Sequence, residues 1–272
     1  MNRRRLDLEL VRRELSPSRL AARACIEAGR VTVGGAPALK ATRLVRAEEA
    51  IEIQTIERDF ASRGGHKLDA ALDHFDIDVT DKRVLDAGAS TGGFTDCALQ
   101  RGAAFVAAVD VGYGQISLHL RDDPRVLVIE RTNVRHLEPA TIGPLVDLVV
   151  ADLSFISLVT VLEALVGACA PGADLVLLVK PQFEADRAEA SRGGGVIRNQ
   201  DVWRSVLQRV AGEYGQRGAI MGVMLSPVRG PKGNREFFLH LTLAERQAPA
   251  IDLDASIDAA VALACVEEGM TP

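Results

Sequence analysis

Four charged residues stand where a chain of buried strands would turn chemistry outward. Asp152 is the first charged residue after the strand-like run 146–151, in Ala151-Asp152-Leu153-Ser154-Phe155. Lys180 ends another run, in Val179-Lys180-Pro181-Gln182-Phe183-Glu184. Lys67 lies in Ser62-Arg63-Gly64-Gly65-His66-Lys67-Leu68, and Glu236 opens a late apolar run in Gly233-Asn234-Arg235-Glu236-Phe237-Phe238. A lysine at the end of a buried strand is costly unless it is paired or functional. Singly, each residue has an ordinary explanation: a surface charge, or for Asp152 a cap on the next helix. Together, two lysines and two acids at strand edges can orient a poor nucleophile and balance the charge that develops on it.

A second signal is the turn Asp86-Ala87-Gly88-Ala89-Ser90-Thr91-Gly92-Gly93-Phe94. Gly88 permits a tight bend after a strand, and Gly92 and Gly93 would let backbone approach a ligand. Asp110 ends the next strand, 24 residues after Asp86, where an acid can take the ribose hydroxyls of an adenine nucleoside. The dinucleotide fingerprint follows the same logic. Here, however, an acid precedes the first glycine, and a pyrophosphate would lie against it. S-adenosylmethionine has no phosphate and carries a sulfonium and an amino group, so the turn favours it. Asp86, Gly88, Ser90, Thr91, Gly92, Gly93, Phe94 and Asp110 form the candidate cofactor set. The turn alone leaves a dinucleotide, or a purely structural bend, as alternatives.

The elements that must hold these residues follow from largely apolar, strand-like runs at 84–86, 104–110, 126–130, 146–151, 175–179 and 237–243, with a helix near 91–101. Runs apolar throughout suit strands buried on both faces. Their alternation with helical stretches predicts an α/β domain with a mostly parallel sheet, which binds ligands beyond the carboxyl ends of its strands. Gly193-Gly194-Gly195 reads either as a loop able to close over a target or as a plain connector. The loop Ser226-Pro227-Val228-Arg229-Gly230-Pro231-Lys232-Gly233-Asn234 is basic, and Arg229, Lys232 and Arg235 are expected on phosphates. The tail 254–270 has a helical pattern with Ser256 as its cap.

Charge separates a head from this body. Residues 1–46 hold eleven basic groups and four acids, a net +7, which leaves −12 for the rest of a chain whose net charge is −5. A basic head on an acidic body suits a polyanionic partner, although a solvated charged face would look similar. Leu6, Leu10 and Val11 mark a first helix that stops near Leu15. Ser16-Pro17-Ser18 is a break, Leu20, Ala24 and Ile26 line a second helix, and Gly29 ends it. Val31-Thr32-Val33 and Ile51-Glu52-Ile53 read as short strands, with a turn at Gly34-Gly35.

The 272 residues are 47% apolar and 25% charged, which excludes a wholly disordered or collagen-like chain. The greasiest stretch, 155–170, contains Glu163 and is shorter than the ~20 residues a membrane span needs. The start, with Arg3, Arg4 and Arg5 followed by Asp7 and Glu9, lacks the apolar segment of a signal peptide, so a cytoplasmic location is expected. Cys25, Cys97, Cys169 and Cys265 are too widely spaced for a zinc ribbon or a disulfide framework, with Cys97 and Cys169 placed in helices. The five histidines show no metal spacing, and no metal is expected.

Two resemblances tie these features together. The head, through Arg5-Leu6-Asp7, Ser18-Arg19, Ala22, Ile26, Gly29, Val31 and Val33-Gly34-Gly35, resembles the S4 RNA-binding domain. The four charged residues match, in order, the K-D-K-E tetrad of FtsJ/RrmJ-like ribose 2′-O-methyltransferases. With Asp-Val-Gly-Tyr-Gly-Gln at 110–115, Glu-Arg-Thr-Asn at 130–133 and the motifs above, the chain resembles the TlyA family of 16S/23S rRNA (cytidine-2′-O)-methyltransferases, often labelled hemolysins. That resemblance implies a class I methyltransferase fold with a small α+β S4-like domain: S4-like 1–57, a linker at 58–61, and methyltransferase 62–272. It implies S-adenosylmethionine as cofactor, with Asn133 added to its site, and ribosomal RNA in ribosomal subunits as partner. Arg4, Arg5, Arg19, Arg23, Lys40, Arg63 and His66 are its expected RNA contacts. Within the tetrad, Lys180 is expected nearest the 2′-oxygen, as base or as cationic stabiliser. Asp152 would orient it, while Lys67 and Glu236 complete the network. The competing functions are a non-catalytic rRNA-binding or assembly factor on the same fold, a secreted pore-forming hemolysin, and a small-molecule methyltransferase.

Overall fold

A computed structural model describes residues 3–13, 15–16, 18–27, 29–53, 60–186, 189, 194–243 and 251–270 of the chain. It divides into two compact units, 1–59 and 60–272. Pro17 of the expected break, residues 58–59 of the expected linker, and Arg192 and Gly193 of the glycine loop lie outside the described residues.

The head runs β1 (Arg3–Arg5), α1 (Leu6–Arg12), α2 (Arg19–Glu27), β2 (Val31–Val33), β3 (Ala36–Pro37), β4 (Leu44–Arg46) and β5 (Ile51–Ile53). Leu6, Leu10, Ala22, Ile26, Val31, Val33 and Val45 form its core. Strand β2 pairs antiparallel with β3 and β5. Gly34 and Gly35, at φ +61° and +78°, make the β2–β3 turn, whose two left-handed positions match strand twist. The ladder between β1 and β4 was not expected, because Arg3-Arg4-Arg5 shows no apolar alternation.

The body runs α3 (Arg63–His74), β6 (Arg83–Ala87), α4 (Gly93–Gln100), β7 (Phe105–Val109), α5 (Leu118–Arg121), β8 (Val126–Ile129), α6 (Pro139–Ile142), β9 (Val146–Ala151), α7 (Leu158–Gly167), β10 (Cys169–Val179), α8 (Pro181–Glu184), α9 (Gln200–Gly215), β11 (Ala219–Leu225), β12 (Phe237–Thr242) and α10 (Leu253–Glu267). One seven-stranded sheet has the order β11-β12-β10-β9-β6-β7-β8. The strands from β10 to β8 are parallel, and β12 is antiparallel to both of its neighbours. Period-two alternation sends Leu85, Val149 and Leu177 into one core. Val84, Val150 and Val176 enter the other. Helices α7, α9 and α10 cover the first face through Val161, Trp203 and Val261. Helices α3 and α4 cover the second through Leu68 and Phe94.

This topology assembles the site. Strands β6, β9 and β10 run in one direction, so the residues after Ala87, Ala151 and Val179 emerge at the same sheet edge. Strand β12 runs the other way and pairs its first residue, Phe237, with Val179. The residue before β12 and the residue after β10, Glu236 and Lys180, therefore meet at that edge.

Several local expectations change. Strand β10 begins at Cys169, which pairs with Val146 before a register shift, so this cysteine is in a strand rather than a helix. Helix α4 starts at Gly93, with left-handed Gly92 before it. Asp252, not Ser256, caps the last helix. Ser256 Oγ instead accepts the Val223 amide. Strand β11 and helix α9 were not anticipated from the sequence.

Candidate active site

Lys67 lies one turn into α3, whose N-cap is Ser62. Its Nζ donates to Glu236 Oε2 at 2.6 Å and lies 3.9 Å from Asp152 Oδ2. Lys180 Nζ lies 2.5 Å from Asp152 Oδ1 and donates to Ser154 Oγ at 3.0 Å. All four tetrad residues thus join one chain of ion pairs. Lys67, Lys180 and Glu236 are buried, while the Asp152 side chain keeps 21% of its exposure. Ionic groups at such depth are costly unless they satisfy one another. Burial pushes the Glu236 carboxyl above its ordinary range, against the pull of Lys67 and Lys180. Its Oε1 has no hydrogen-bond partner among the described residues. Gly230 approaches that oxygen so closely that a Cβ there would sit 2.5 Å away.

Beside the tetrad, a cleft of about 310 Å³ is lined by Gly88, Ser90, Thr91, Gly93 and Phe94 of the turn, with Lys67, Asp152, Ser154 and Lys180 facing them. Arg63 and Arg229 also reach it. Among the expected cofactor residues, Asp86, Gly92, Asp110 and Asn133 do not line this cleft. Asp86 is wholly buried behind the turn, where Thr95 Oγ1 donates to its Oδ2 at 2.6 Å. Burial pushes its carboxyl up to about 7. Asp110 braces the turn by accepting from the Ser90 and Gly112 amides at 2.8 and 2.6 Å. Asn133 is exposed, and its side chain caps the short helix Val134–His136 by accepting from Arg135.

The glycines act differently from expectation. A Cβ on Gly92 would meet Leu120 at 2.2 Å, and one on Gly93 would meet Ser62 Oγ at 2.2 Å. These two positions are needed for close packing of protein on protein. Gly88, at φ +89° and with a Cβ position 2.7 Å from Asp152 O, lets β6 turn beside β9.

The turn fits a cationic sulfonium ligand. Residues 86–94 contain no basic side chain, and Asp86 Oδ1, buried behind them, lacks a hydrogen-bond partner among the described residues. An oxygen left in that state favours a nearby positive charge and disfavours a phosphate.

In the head, Asp7 is fully buried yet holds three arginines: Arg5 at 3.0 Å, Arg19 at 3.1 Å and Arg23 at 3.3 Å. These pairs draw the carboxyl well below its usual range, against the opposing effect of burial. The guanidinium groups remain partly exposed around it. Arg4 and Lys40 are exposed. In the body, His66 is exposed and sets its ring edge against Phe60, with centroids 5.0 Å apart.

Other expectations need correction. Arg235 is buried and pairs with Glu267 and with Glu268, so it is no phosphate contact. Asp152 caps no helix, since Ser157 caps α7. Sequence reasoning did not single out Ser62, Ser154 or Pro231 as lining the site. Each lies in a segment that carries Lys67, carries Asp152 or leads to Glu236, without a feature that set it apart.

Comparison with known proteins identifies the family of the chain. Residues 60–243 match the family model of FtsJ-like methyltransferases. Residues 4–51 match that of the S4 domain. The chain is 52% identical to the 16S/23S rRNA (cytidine-2′-O)-methyltransferase TlyA of Mycobacterium tuberculosis, over 95% of this chain and 97% of that one. It is 35% identical to hemolysin A of Brachyspira hyodysenteriae, over 88% of this chain and 100% of that one. A solved chain from Streptococcus thermophilus with a provisional hemolysin designation is 36% identical, with a TM-score of 0.73, covering 99% of this chain and 98% of that one.

Proposed function

The chain belongs to the FtsJ-like methyltransferase family and carries an S4 domain, and from that premise we propose that it methylates the ribose 2′-hydroxyl of cytidine in ribosomal RNA. The observation that carries the proposal is the continuous ion-pair chain Glu236–Lys67–Asp152–Lys180, three of whose members line one cleft together with the glycine turn. The same reading makes this a cytoplasmic enzyme acting on ribosomal subunits. It is supported by the 52% identity to a relative named for cytidine 2′-O-methylation of both rRNAs.

When bound, S-adenosylmethionine supplies a methyl group made electrophilic by its sulfonium. Ser90, Thr91 and the backbone of 88–93 would hold it, Asp110 would brace the turn against its ribose, and Asp86 would balance its positive charge. A ribose hydroxyl is a poor nucleophile near pH 7, so the protein must place it in line and support the charge its oxygen gains. Lys180 Nζ, fixed by Asp152 and Ser154, is the donor for that oxygen. The hydroxyl proton passes to the Asp152 carboxylate, the most exposed of the tetrad side chains, and from there to water. Lys67 and Glu236 hold Asp152 and the loop before β12 in register. Phe155, left-handed at φ +64° and 91% exposed, packs its ring 4.9 Å from that of Phe183 beside Lys180. Such a platform suits an unstacked base.

The test is methyl transfer from labelled S-adenosylmethionine to ribosomal RNA, with mass-spectrometric mapping of the product. The expected product is 2′-O-methylcytidine. Methylation of a base nitrogen or carbon, or no transfer to either ribosomal subunit or its RNA, would refute the proposal.

A further inference from the structure

Helix α10 ends in a way that opposes its own dipole. Glu267 is its last residue and Glu268 its C-cap. Carboxylates at a helix C-terminus meet the negative end of the macrodipole. Their compensation comes from another element, the loop that leads into β12. Arg235 Nε lies 2.7 Å from Glu268 Oε1, and Arg235 Nη1 pairs with Glu267. Arg229 Nη1 lies 2.8 Å from the same Glu268 oxygen, and Arg229 Nη2 donates to the Glu267 carbonyl at 3.2 Å.

The two arginines differ in position. Arg235 is 2% exposed and adjoins the tetrad residue Glu236. Arg229 lines the cleft and keeps 43% of its side-chain exposure. It is followed by Gly230, which packs against the Glu236 carboxyl and whose amide donates to the Asn234 carbonyl at 3.0 Å. One carboxylate, 39 residues away in sequence from Arg229, therefore fixes both a buried support of the tetrad and a solvent-facing cation at the cleft. Helix α10 lies beyond the residues that match the methyltransferase family model, which end at 243.

We propose that Glu268 is a positioning residue for the RNA substrate: it holds Arg229 at the cleft, where the guanidinium takes a backbone phosphate beside the target ribose. This rests on the reading of the chain as an RNA ribose methyltransferase. An arginine whose Nη1 and Nη2 are both held at the end of α10, and whose side chain still keeps 43% of its exposure at the cleft, is pre-organised for a phosphate, and less side-chain freedom is lost on binding. The neighbouring Arg235 remains paired with Glu267 when Glu268 is neutralised, so the tetrad support persists.

The test is a double-mutant cycle on the full chain with ribosomal RNA as substrate, using Glu268→Gln, Arg229→Gln and the pair. Glu268→Gln is expected to raise the KM for RNA about tenfold, the scale of one charge-assisted contact, with kcat and cofactor affinity changed by less than about twofold. Arg229→Gln should do the same and should flatten the salt dependence of RNA binding by about one phosphate contact. In the Arg229→Gln background, Glu268→Gln should add nothing further to KM, and Glu268→Asp should restore part of it in the Arg229 protein. A purely structural role for Glu268 would instead lower thermal stability and kcat equally in both backgrounds, and would overturn the proposal. An unchanged RNA KM in Arg229→Gln, which leaves every pair of Arg235 intact, would also overturn it. If the unaltered protein transfers no methyl group to ribosomal RNA, the functional reading itself fails, and this inference with it.

Discussion

Replacing Lys67 by Met keeps the side chain as far as Cε and removes the charged nitrogen that faces Glu236. The carboxylate left behind is 1% exposed, and its nearest cation was 2.6 Å away. Breaking a buried pair from one side costs about 3–5 kcal/mol when the remaining charge stays ionised. Glu236 has an escape, because burial already raises its carboxyl above the usual range and loss of Lys67 raises it further. Protonating it costs about 1.4 kcal/mol per pH unit above the unfolded value of about 4.3. The penalty is therefore bounded by ~1.7 kcal/mol at about pH 5.5 and by ~4.5 kcal/mol at about pH 7.5. The sign follows from proton counting. A carboxyl raised in the folded state binds a proton that the unfolded chain has released, so stability falls as pH rises from the unfolded value to the folded one, then levels off. In the unaltered protein Lys67 closes that window early, and in the variant it stays open to higher pH. Urea unfolding of both proteins across pH 5–8 should show a deficit that grows with pH above the native Glu236 value. Asp86, pushed up to about 7, titrates in both proteins and cancels in the difference. Lys67→Met/Glu236→Gln should recover most of the loss. A deficit independent of pH, or no recovery in the double variant, would refute the pairing as the source of the cost.

Other consequences separate rate, geometry and RNA binding. Lys180→Ala leaves Asp152, which keeps 21% of its side-chain exposure, able to hydrate, so its unfolding free energy should fall by about 1–3 kcal/mol, less than for a fully buried pair, while single-turnover methyl transfer falls about 10²–10³-fold, as for loss of one oxyanion donor. Near-normal transfer would remove Lys180 from the chemistry. Gly230→Ala puts a Cβ where 2.5 Å separates it from Glu236 Oε1, and should lower kcat about tenfold, roughly 1.4 kcal/mol of barrier, with cofactor binding intact by calorimetry. Asp7→Asn removes a negative charge from a basic head, which on charge alone should tighten RNA binding. Release of Arg5, Arg19 and Arg23 from their shared carboxylate should instead weaken it several-fold, measured by filter binding on a variant shown to be folded by circular dichroism.

What could be read from the sequence was whatever a single strand end or a short apolar period reveals. Asp152 and Lys180 follow runs buried on both faces, so their emergence at a ligand-binding sheet edge was legible. Lys67 and Glu236 were legible as motif members, but the reason they meet lies in β12 running against β10, and no local pattern encodes that direction. Strand β11, with the burial pattern of a partly covered edge, carried too weak an alternation to stand out. Arg235 looked like Arg229 in sequence, two cations in one turn-rich loop. Only the approach of Glu267 and Glu268 makes the first a buried support and the second a cleft residue. The glycines of the turn were correctly placed at a bend, but the atoms they make room for belong to Leu120 and Ser62, which lie 28 and 31 residues away from Gly92 and Gly93.

The tetrad uses two lysines where one would stabilise an oxyanion, and burial shows why. Glu236 is sealed at 1% exposure against Lys67, whereas Lys180 shares Asp152, which retains 21%. The inner pair has the more deeply buried carboxylate, and Lys67 links it to the outer carboxylate through the 3.9 Å contact with Asp152. The outer pair keeps Asp152 more accessible, as the proposed proton acceptor would require. If a single pair did both tasks, it would need to be rigid and dry for placement yet wet for proton exchange. Splitting the tasks also predicts how variants divide: changes at Lys67 and Glu236 should appear first in stability and its pH dependence, and changes at Lys180 and Asp152 first in the rate of methyl transfer.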